Sequence, residues 1–465
     1  MLLSILPYEI LLEIAENLIR EKDINSLAQT SSRTYDCLDI FLYRNNIKNF
    51  ESYGLVAAAE QGCESSVRKF LDQGANVNTE EDVDGRSPLR AAAHMGHAHI
   101  VQLLLETEGI DVNASGKAPT ALIWAAQGGH DSVVKLLLGD SRVNPNCCDA
   151  QGNTALIWAA TENHGTTVNL MLDNTRVIPD TQHRNGGTVV HCAVRRAQHA
   201  VVRTLLEHSR IDPNILNNVT GKSALMLAAS SSKIDEDLVE ILLASDKVDI
   251  NLQDQRGYTA LSWAAAYAYP TIVALLIEHG ADINHTDTDG NTSLMLATAR
   301  RRYTTAEILL VAGVDPNTRN REGLTALSVA AITCNADMVE MLIRNPNIDP
   351  NCRDRRGNTP LLLAIHQGYV DVAQVLLSND AVDINVQDYD DDTPLHVATR
   401  ENYREIVDLL LSKPGINIDS KNNYGESPLT LARASNPSLA ATFIQRGAKL
   451  TFRDIQGMTP LSFGI

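Results

Sequence analysis

The stretch GNTALIWAA, residues 152–160, decides the fold, because variants of it return along most of the chain. GNTSLMLAT occupies residues 290–298, GNTPLLLAI residues 357–365 and DDTPLHVAT residues 391–399. Twelve such phrases align on a Thr or Ser, and successive phrases are separated by 32 to 36 residues. The aligned positions are 87, 120, 154, 188, 223, 259, 292, 325, 359, 393, 427 and 459. A period of this size indicates stacked structural units.

Each phrase predicts a tight turn that leads into a helix. An Asp or Asn usually stands three residues before the Gly, where its carboxylate or amide closes the turn and the Gly completes it with a positive φ. The Thr or Ser then caps the helix by accepting backbone N–H groups, and Pro is tolerated in the first helical turn. The Asx positions are Asp149, Asp254, Asp287, Asn320, Asp354 and Asp454, and the prolines are Pro88, Pro360, Pro394, Pro428 and Pro460.

A second helix is predicted after each first one. Its apolar residues recur at helical spacing, as in the run from Ile100 to Leu105 and the run from Ile406 to Leu411. Phrases such as GANVN at 74–78, GADIN at 280–284 and GVDPN at 313–317 then place a Gly where a helix C-cap needs one. One period therefore contains a turn and two helices.

Composition limits the classes of partner. The 465 residues are 44% hydrophobic and 21% charged, which is typical of a folded protein. The net charge of −18 repels phosphate and anionic lipid, so neither nucleic acid nor membrane is an expected partner. Seven scattered cysteines show no zinc-site pairing, which favours reduced thiols and a cytoplasmic or nuclear location. The N-terminus resembles neither a signal peptide nor a membrane span.

The repeated phrase resembles that of ankyrin repeats, D-x-x-G-x-T-P-L-H-x-A-A-x-x-G-H. The resemblance covers residues 51–465 and implies an all-α ankyrin-repeat solenoid, with about twelve repeats and a shortened terminal unit at residue 457. The family His is kept at His191 and His396. Helices stacked about 10 Å apart predict an elongated array on the order of 100 Å long.

By resemblance, such arrays bind proteins along a concave face made of turn tips and first helices. Arginines and tyrosines are concentrated at those positions, and both residue types are enriched in interface hot spots. The alternative is structural, because Arg is favoured at a helix C-terminus and Tyr can cover a neighbouring repeat. The predicted target-binding residues are Arg195, Arg196, Tyr258, Tyr267, Tyr269, Arg300, Arg301, Arg302, Tyr303, Arg355, Arg356, Tyr369, Arg400 and Tyr403. Trp124, Trp158 and Trp263 share one helical position and are predicted to serve packing.

Residues 1–50 follow a different pattern from the repeats. Pro7 and Glu9 suit a helix start, Ile10, Ile14 and Leu18 lie four apart on one face, and two short helices are predicted to follow. The segment resembles an F-box, through which substrate receptors dock on the Skp-type adaptor of cullin ubiquitin ligases. By resemblance, the adaptor-binding residues are Leu6, Pro7, Glu9, Ile10, Ile14, Leu18, Ile24 and Leu27, and the layout is similar to that of fungal F-box/ankyrin proteins. The alternative is an N-terminal cap for the first repeat.

No motif predicts catalysis, a metal or a cofactor. TGKSA at 220–224 lacks a phosphate-binding loop because Leu216 stands where the first Gly is needed. In HMGHAH at 94–99, Gly96 and His97 occupy the same repeat position as Gly129 and His130, so loop geometry explains the histidines. The acidic run 388–392 lacks the spacing of a calcium loop and is predicted to be a solvated turn tip.

Together these patterns predict a non-enzymatic recognition subunit. The array of residues 51–465 would hold a target protein while residues 1–50 hold the Skp-type adaptor, which raises the concentration of target lysines near the ligase. The alternative is a scaffold or inhibitor that uses the same face without recruiting a ligase.

Overall fold

The computed structural model describes residues 43, 44, 47, 53–80, 85–114, 119–267 and 269–449. These residues contain twenty-four α-helices, which follow one another as twelve helix–turn–helix pairs. Two isolated bridges, Cys148 with Thr154 and Thr286 with Thr292, are the sole β pairing in the described part. The predicted all-α array of helix–turn–helix repeats is confirmed.

The first helices of the pairs begin at the repeated Thr or Ser positions, apart from that of the first pair, which has no such phrase. They are α1 (Tyr53–Glu60), α3 (Pro88–His94), α5 (Ala121–Gln127), α7 (Ala155–Thr161), α9 (Val189–Arg195), α11 (Ala224–Ala229), α13 (Ala260–Tyr267), α15 (Ser293–Ala299), α17 (Ala326–Ile332), α19 (Pro360–His366), α21 (Pro394–Arg400) and α23 (Pro428–Ser435).

The second helices carry the longer apolar runs. They are α2 (Glu64–Asp72), α4 (Ala98–Leu105), α6 (Asp131–Gly139), α8 (Gly165–Asp173), α10 (His199–Glu207), α12 (Glu236–Leu243), α14 (Pro270–Glu278), α16 (Tyr303–Val311), α18 (Ala336–Ile343), α20 (Val370–Leu377), α22 (Arg404–Leu411) and α24 (Pro437–Gln445).

The helices fall into two compact units. One contains the described residues up to Ala224 together with Ala244–Val248, and the other contains Leu225–Leu243 and the described residues from Asp249 onward. Within each unit the first helices pack against the first helices of neighbouring pairs, as α5 does against α7 and α19 against α21. Each pair therefore buries its apolar side against its neighbours, as expected of a repeat array.

The repeated Thr positions act as helix caps. The side chain of Thr292 accepts the N–H of Met295 at 3.3 Å, and that of Thr120 accepts the N–H of Ile123 at 3.3 Å. Pro360 and Pro394 occupy the first turn of their helices, as predicted. A side-chain cap of this kind stabilises a helix by about 1 kcal/mol.

The two family histidines extend this cap into the next repeat. His396 Nδ1 accepts the backbone N–H of Thr393 at 3.2 Å, so its Nε2 carries the proton and donates to Glu426 O at 3.0 Å. His191 does the same between Thr188 and Lys222, at 3.2 and 3.0 Å. Burial lowers the pKa of both imidazoles, which keeps them neutral.

Small side chains allow the first helices to approach one another. Ala159, Ala160 and Ala264 are fully buried, and Leu156 beside them is 1% exposed. Each buried leucine stabilises the array by about 1.5–3 kcal/mol. The apolar stripes of the second helices, such as Ile406, complete this core.

The turn between the two helices of a pair needs a left-handed residue. Glycine supplies it at Gly96 and Gly368, with φ of 77° and 72°. Other residues occupy the equivalent place at Asn163, Ala197, Arg301, Cys334 and Asn402, with φ between 52° and 67°. A left-handed non-glycine residue costs about 1–2 kcal/mol, least for Asn.

An asparagine ladder joins the loops that follow the second helices. Asn317 Nδ2 donates to Asn347 O at 2.7 Å, and Asn317 Oδ1 accepts the N–H of Asp349 at 2.8 Å. Asn351 and Asn385 repeat the pattern toward the next loops. Each amide therefore satisfies one carbonyl and one N–H of the following repeat.

The tryptophans pack at the base of the turns. Trp158 Nε1 donates to Asp149 Oδ2 at 2.8 Å, and Trp263 Nε1 donates to Asp254 Oδ2 at 3.0 Å. Trp124 lies 4.6 Å from the His94 ring of the preceding repeat, between ring centroids. All three are half-buried, and each ties its helix to a turn or to a neighbouring helix.

The described end of the N-terminal segment contacts the first pair. The Tyr43 ring meets Phe70 of α2 edge-on at 4.4 Å between centroids, and the Tyr43 hydroxyl donates to Ser66 Oγ at 3.2 Å. Arg44 Nε donates to Gln73 Oε1 at 2.8 Å. The predicted adaptor-binding residues from Leu6 to Leu27 lie outside the described residues, as do Asp454, Pro460 and the phrase at 457.

Candidate interaction face

The turn tips that precede the first helices, together with the exposed side chains of those helices, form what we call the turn-side face. Some of the predicted binding residues lie on it, such as Arg195, Tyr258 and Arg355. Others lie in the turn between the two helices of a pair or at the start of the second helix: Tyr269, Arg301, Arg302, Tyr303, Tyr369 and Tyr403.

Most of the described turns are held by an Asx residue, as where Asp254 Oδ1 accepts the N–H groups of Arg256 and Tyr258 at 2.8 and 2.9 Å. The Gly that follows has a positive φ, 75° at Gly257 and 81° at Gly357. The predicted turn chemistry is therefore present.

Backbone hydrogen bonds connect successive turn tips. Arg184 N donates to Gln151 O at 3.0 Å in the first unit, and Arg355 N donates to Glu322 O at 3.0 Å in the second. Gly323 lies so close to the next tip that a Cβ there would sit 2.9 Å from Arg355 N. The tips form a supported surface whose side chains extend from a fixed backbone.

A cavity of about 380 Å³ lies on this face in the first unit, and we call it the first cavity. Arg195 ends α9 and Arg196 follows it, and both are exposed. Arg195 Nη2 contacts the Cys192 thiol at 3.7 Å, and neither arginine forms an ion pair with a described residue. The lining residues are Gln151, Asn153, Trp158, Thr161, His183, Asn185, Cys192, Arg195 and Arg196.

A larger cavity of about 760 Å³, the second cavity, lies on the turn-side face of the second unit. Arg355 and Arg356 line it from one turn tip, and Asp388, Tyr389 and Asp390 line it from the next. The Tyr389 ring is 68% exposed and covers Gly357. Both signs of charge and an aromatic ring meet here, so this cavity suits a peptide that carries both charges.

The arginines after α15 have different surroundings. Arg300 is exposed, whereas Arg301 Nη2 donates to Thr333 O and Cys334 O at 2.9 and 3.1 Å. Arg302 is half-buried, and its Nε has no hydrogen-bond partner in the described part of the protein. Of the three, Arg300 presents the freest guanidinium to a partner.

Four aromatic rings form a cluster around α13. Tyr258 contacts Trp263 at 5.3 Å, Trp263 contacts Tyr267 at 5.8 Å, and Tyr267 stacks on Tyr269 at 6.3 Å between centroids. The Tyr267 side chain is 41% exposed. Burial raises the pKa of the Tyr258 hydroxyl, and the nearby Asp287 carboxylate raises it further. Tyr258 therefore stays a neutral hydrogen-bonding group. The structure thus brings three predicted tyrosines together.

Of the remaining predicted residues, Arg400 pairs within its own repeat, whereas Tyr303 and Tyr403 contact neighbouring repeats. Arg400 Nη1 lies 2.5 Å from Asp392 Oδ2, and this hydrogen bond raises the Arg400 pKa. The Tyr403 ring packs on Gly368, where a Cβ would lie 2.8 Å from Cζ. Tyr303 Oη donates to Asn335 Oδ1 at 2.8 Å, and half-buried Tyr369 caps α20. Their part in target binding stays a prediction.

His183 is a residue of this face that the sequence reasoning missed. It is 5% exposed, lines the first cavity and stands in the turn position that Asp149 and Asp254 fill elsewhere. Burial, followed by the Arg195 charge, lowers the His183 pKa. The available signal was the replacement of an Asx residue by His within one copy of the repeat.

The described residues contain neither a metal site nor a membrane-spanning helix. Within them, no three His, Cys, Asp or Glu side chains are grouped as a metal site. The helices described are also too short or too polar to cross a bilayer. The six cysteines in this part of the protein are free thiols.

The chain is similar to one known protein family and to parts of several known proteins. The family model "Ankyrin repeats (3 copies)" matches residues 12–116, 114–180, 175–254, 225–320, 294–388 and 382–454. Human "Ankyrin repeat domain-containing protein 63" is 38% identical over 76 residues, 16% of this chain and 20% of that protein. "Probable E3 ubiquitin-protein ligase XBOS32" of Oryza sativa subsp. japonica is 40% identical over 86 residues, 18% of this chain and 17% of that protein.

Among solved structures, the ankyrin repeat domain of Bcl-3 is 26% identical and has a TM-score of 0.45. That match covers 48% of this chain and 99% of the Bcl-3 domain. The chain spans a fifth or less of the two curated relatives described, 20% and 17% of their lengths. Because the family model matches nearly the whole length of the sequence, this chain is a member of the ankyrin-repeat family.

Proposed function

We propose that this protein is a non-enzymatic recognition subunit of a cullin ubiquitin ligase. Ankyrin repeats bind protein partners, and the turn-side face supplies a supported surface with two cavities lined by predicted arginines. This combination of arginine and cavity is the observation that carries the proposal, because buried pockets with Arg anchors dominate interface energies. The target is a protein, and the location is the cytoplasm or nucleus.

Residues 1–50 would bind the Skp-type adaptor and residues 51–465 the target. The resemblance of LPYEILLEIAENLI, residues 6–19, to an F-box supports the first part. A relative whose printed name is a probable E3 ubiquitin-protein ligase shares part of the array, which agrees with a role beside a ligase. Tethering acts by raising the concentration of the target near the ligase.

A pull-down with purified Skp-type adaptor tests the adaptor arm. We expect the full-length protein to retain the adaptor and Pro7→Ala/Ile10→Asp to lose it, because the substitutions remove a helix start and place a charge on the apolar stripe. Val219→Asp is the matched control, since Val219 is 66% exposed and lies outside the segment. Equal retention by both variants, or none by the wild type, would refute the ligase role.

The second candidate function is a scaffold or inhibitor whose N-terminal residues cap the array. The contacts of Tyr43 and Arg44 with α2 favour it, because they place the end of the segment against the first repeat. Tyr43→Ala separates the two functions. A pure cap predicts a lower stability of α1 and α2 with no adaptor bound by any variant.

A further inference from the structure

The fifth and eleventh helix pairs carry the same arginine in different surroundings. Arg195 and Arg400 each stand seven residues after the capping threonines, Thr188 and Thr393. In the eleventh pair, the residue before the threonine is Asp392, which is 2% exposed and pairs with Arg400 at 2.5 Å. That carboxylate is an internal partner for the arginine.

The eleventh pair has acidic residues at two positions, Asp388 and Asp392, and the fifth pair has no acidic residue at either equivalent position. Gly187 stands where Asp392 does, and His183 stands where Asp388 does. Arg196 adds a second positive charge where the eleventh pair has Glu401. The arginine is retained while its carboxylate partner is missing, and the first cavity lies at this place.

A hydrogen-bond donor is also left without an acceptor. His183 Nδ1 accepts the N–H of Asn185 at 3.1 Å, so the neutral imidazole carries its proton on Nε2. Nε2 is buried and has no partner within the described residues. A Cβ added at Gly187 would lie 3.0 Å from Nε2, so the space left by the glycine adjoins this donor. A buried unpaired donor costs about 1–3 kcal/mol.

The Asp149 carboxylate, whose charge acts on His183, is already occupied. Asp149 accepts the N–H groups of Gln151 and Asn153 at 2.9 and 2.8 Å, and the Trp158 indole N–H at 2.8 Å. Asn153 Nδ2 adds a fourth contact at 3.1 Å. These donors satisfy Asp149 within its own turn, so Arg195 and Arg196 keep their charge for an external group.

We propose that the first cavity binds a carboxylate of the target protein, which takes the place that Asp392 fills in the eleventh pair. Arg195 and Arg196 donate to it, and His183 Nε2 faces it from the Gly187 side. The shared chemistry is a carboxylate, whether of an Asp or Glu side chain or of the target's own C-terminus. This inference rests on target binding by the turn-side face, as proposed above.

Fluorescence anisotropy with three labelled pentapeptides tests it. One carries an internal Glu with blocked ends, one has a free C-terminal carboxylate and no Glu, and one is neutral with Gln and blocked ends. We expect at least one carboxylate peptide to bind the full-length protein about tenfold more tightly than the neutral peptide. The tighter of the two carboxylate peptides identifies the source of the group.

Variants of the cavity sharpen the test. Arg195→Gln/Arg196→Gln and Gly187→Asp should each weaken binding about tenfold, the first by removing donors and the second by supplying an internal carboxylate. Arg203→Gln, exposed on α10 and outside the first cavity, is the control and should bind as the wild type does.

Two results would overturn the inference: equal affinity for all three peptides, or wild-type affinity in the double arginine variant. In that case the proposed ligase role stands if the adaptor pull-down still succeeds. Conversely, a glutamate peptide that binds while the adaptor does not leaves this site in place and removes the ligase role. The two failures are therefore distinguishable.

Discussion

The fifth and eleventh helix pairs share one backbone and differ in charge. Both begin with a Thr cap and a buried His, and both end their first helix with Arg at the same position. The eleventh pair neutralises its arginine with Asp392, whereas the fifth has Gly187 and His183 at its acidic positions. The comparison shows that a helix pair can form without this internal ion pair. In the fifth pair the arginine is then exposed and available to bind a partner.

The largest expected effect comes from removing the internal carboxylate. Asp392 pairs with Arg400 and accepts Asn422 Nδ2 at 3.0 Å, so Asp392→Ala removes the acceptor of the guanidinium and leaves the buried Asn422 amide with Glu426 Oε2 as its one acceptor among the described residues. We expect a loss of about 2 kcal/mol in the free energy of unfolding, measured by urea denaturation. Exposed Asp380→Ala is the control, and equal stability of the two variants would contradict this view of the eleventh pair.

The histidine caps are common to both pairs and should make the array sensitive to acid. Burial lowers the pKa of His191 and His396 in the folded protein. As the pH falls, these two imidazoles are therefore protonated in the unfolded protein before they are protonated in the folded one. The free energy of unfolding should therefore be fully present above about pH 6.5 and fall as the pH decreases below it. Thermal unfolding across this range measures the slope.

Replacing both cap histidines should reduce that slope. His191→Gln/His396→Gln removes these two titrating groups, whereas His366→Gln, on the exposed end of α19, keeps them. His183 and His94, whose pKa burial also lowers, account for the slope that remains. A slope that persists unchanged in the double variant would place the acid sensitivity elsewhere.

The left-handed turn residue also differs between the two pairs. Ala197 has φ of 54°, and the equivalent Asn402 has φ of 58° and accepts Asn436 Nδ2 at 2.6 Å. Ala197→Gly should raise the free energy of unfolding by about 1 kcal/mol, because it relieves the backbone. Asn402→Gly should give no gain, since Asn tolerates this conformation and the substitution removes a hydrogen bond. A larger gain at Asn402 would reverse the comparison.

The smallest effect is expected from grafting the carboxylate onto the fifth pair. In Gly187→Asp, the new side chain would meet Arg195 and His183 Nε2, but its Cβ would lie only 3.1 Å from His191 Cβ. The gain from an exposed ion pair is at most about 1 kcal/mol, and the tight fit opposes it. Urea denaturation should find a change within about 1 kcal/mol in either direction.

The sequence predicted the fold because its signals are local and repeated. The Asx residue, the Gly, the Thr cap and the apolar run each specify a short segment, and the set returns with a period of 32 to 36 residues. The helix starts at Pro360 and Pro394 and the packing of Trp158 follow from such rules. No contact between distant parts of the sequence had to be known.

The binding face was harder to predict because its character depends on pairs of residues. Arg195 and Arg400 occupy the same position of their repeats. They differ in the residue that each contacts, which is Cys192 for Arg195 and Asp392 for Arg400. The sequence predicted binding residues from residue type, because arginine is common in interface hot spots. Residue type does not reveal that Arg301 donates to Thr333 O and Cys334 O of the next repeat. His183 was missed because it replaces an acidic turn residue and carries no motif of its own.

The asparagine ladder makes the array sensitive to deamidation. Asn317 uses Nδ2 to reach Asn347 O at 2.7 Å, so hydrolysis of that amide to a carboxylate would set two oxygens against each other at the same distance. Slow deamidation at any rung would thus convert an attraction between loops into a repulsion. An aged sample should accumulate this damage as acidic isoforms whose neighbouring loops open first to proteolysis.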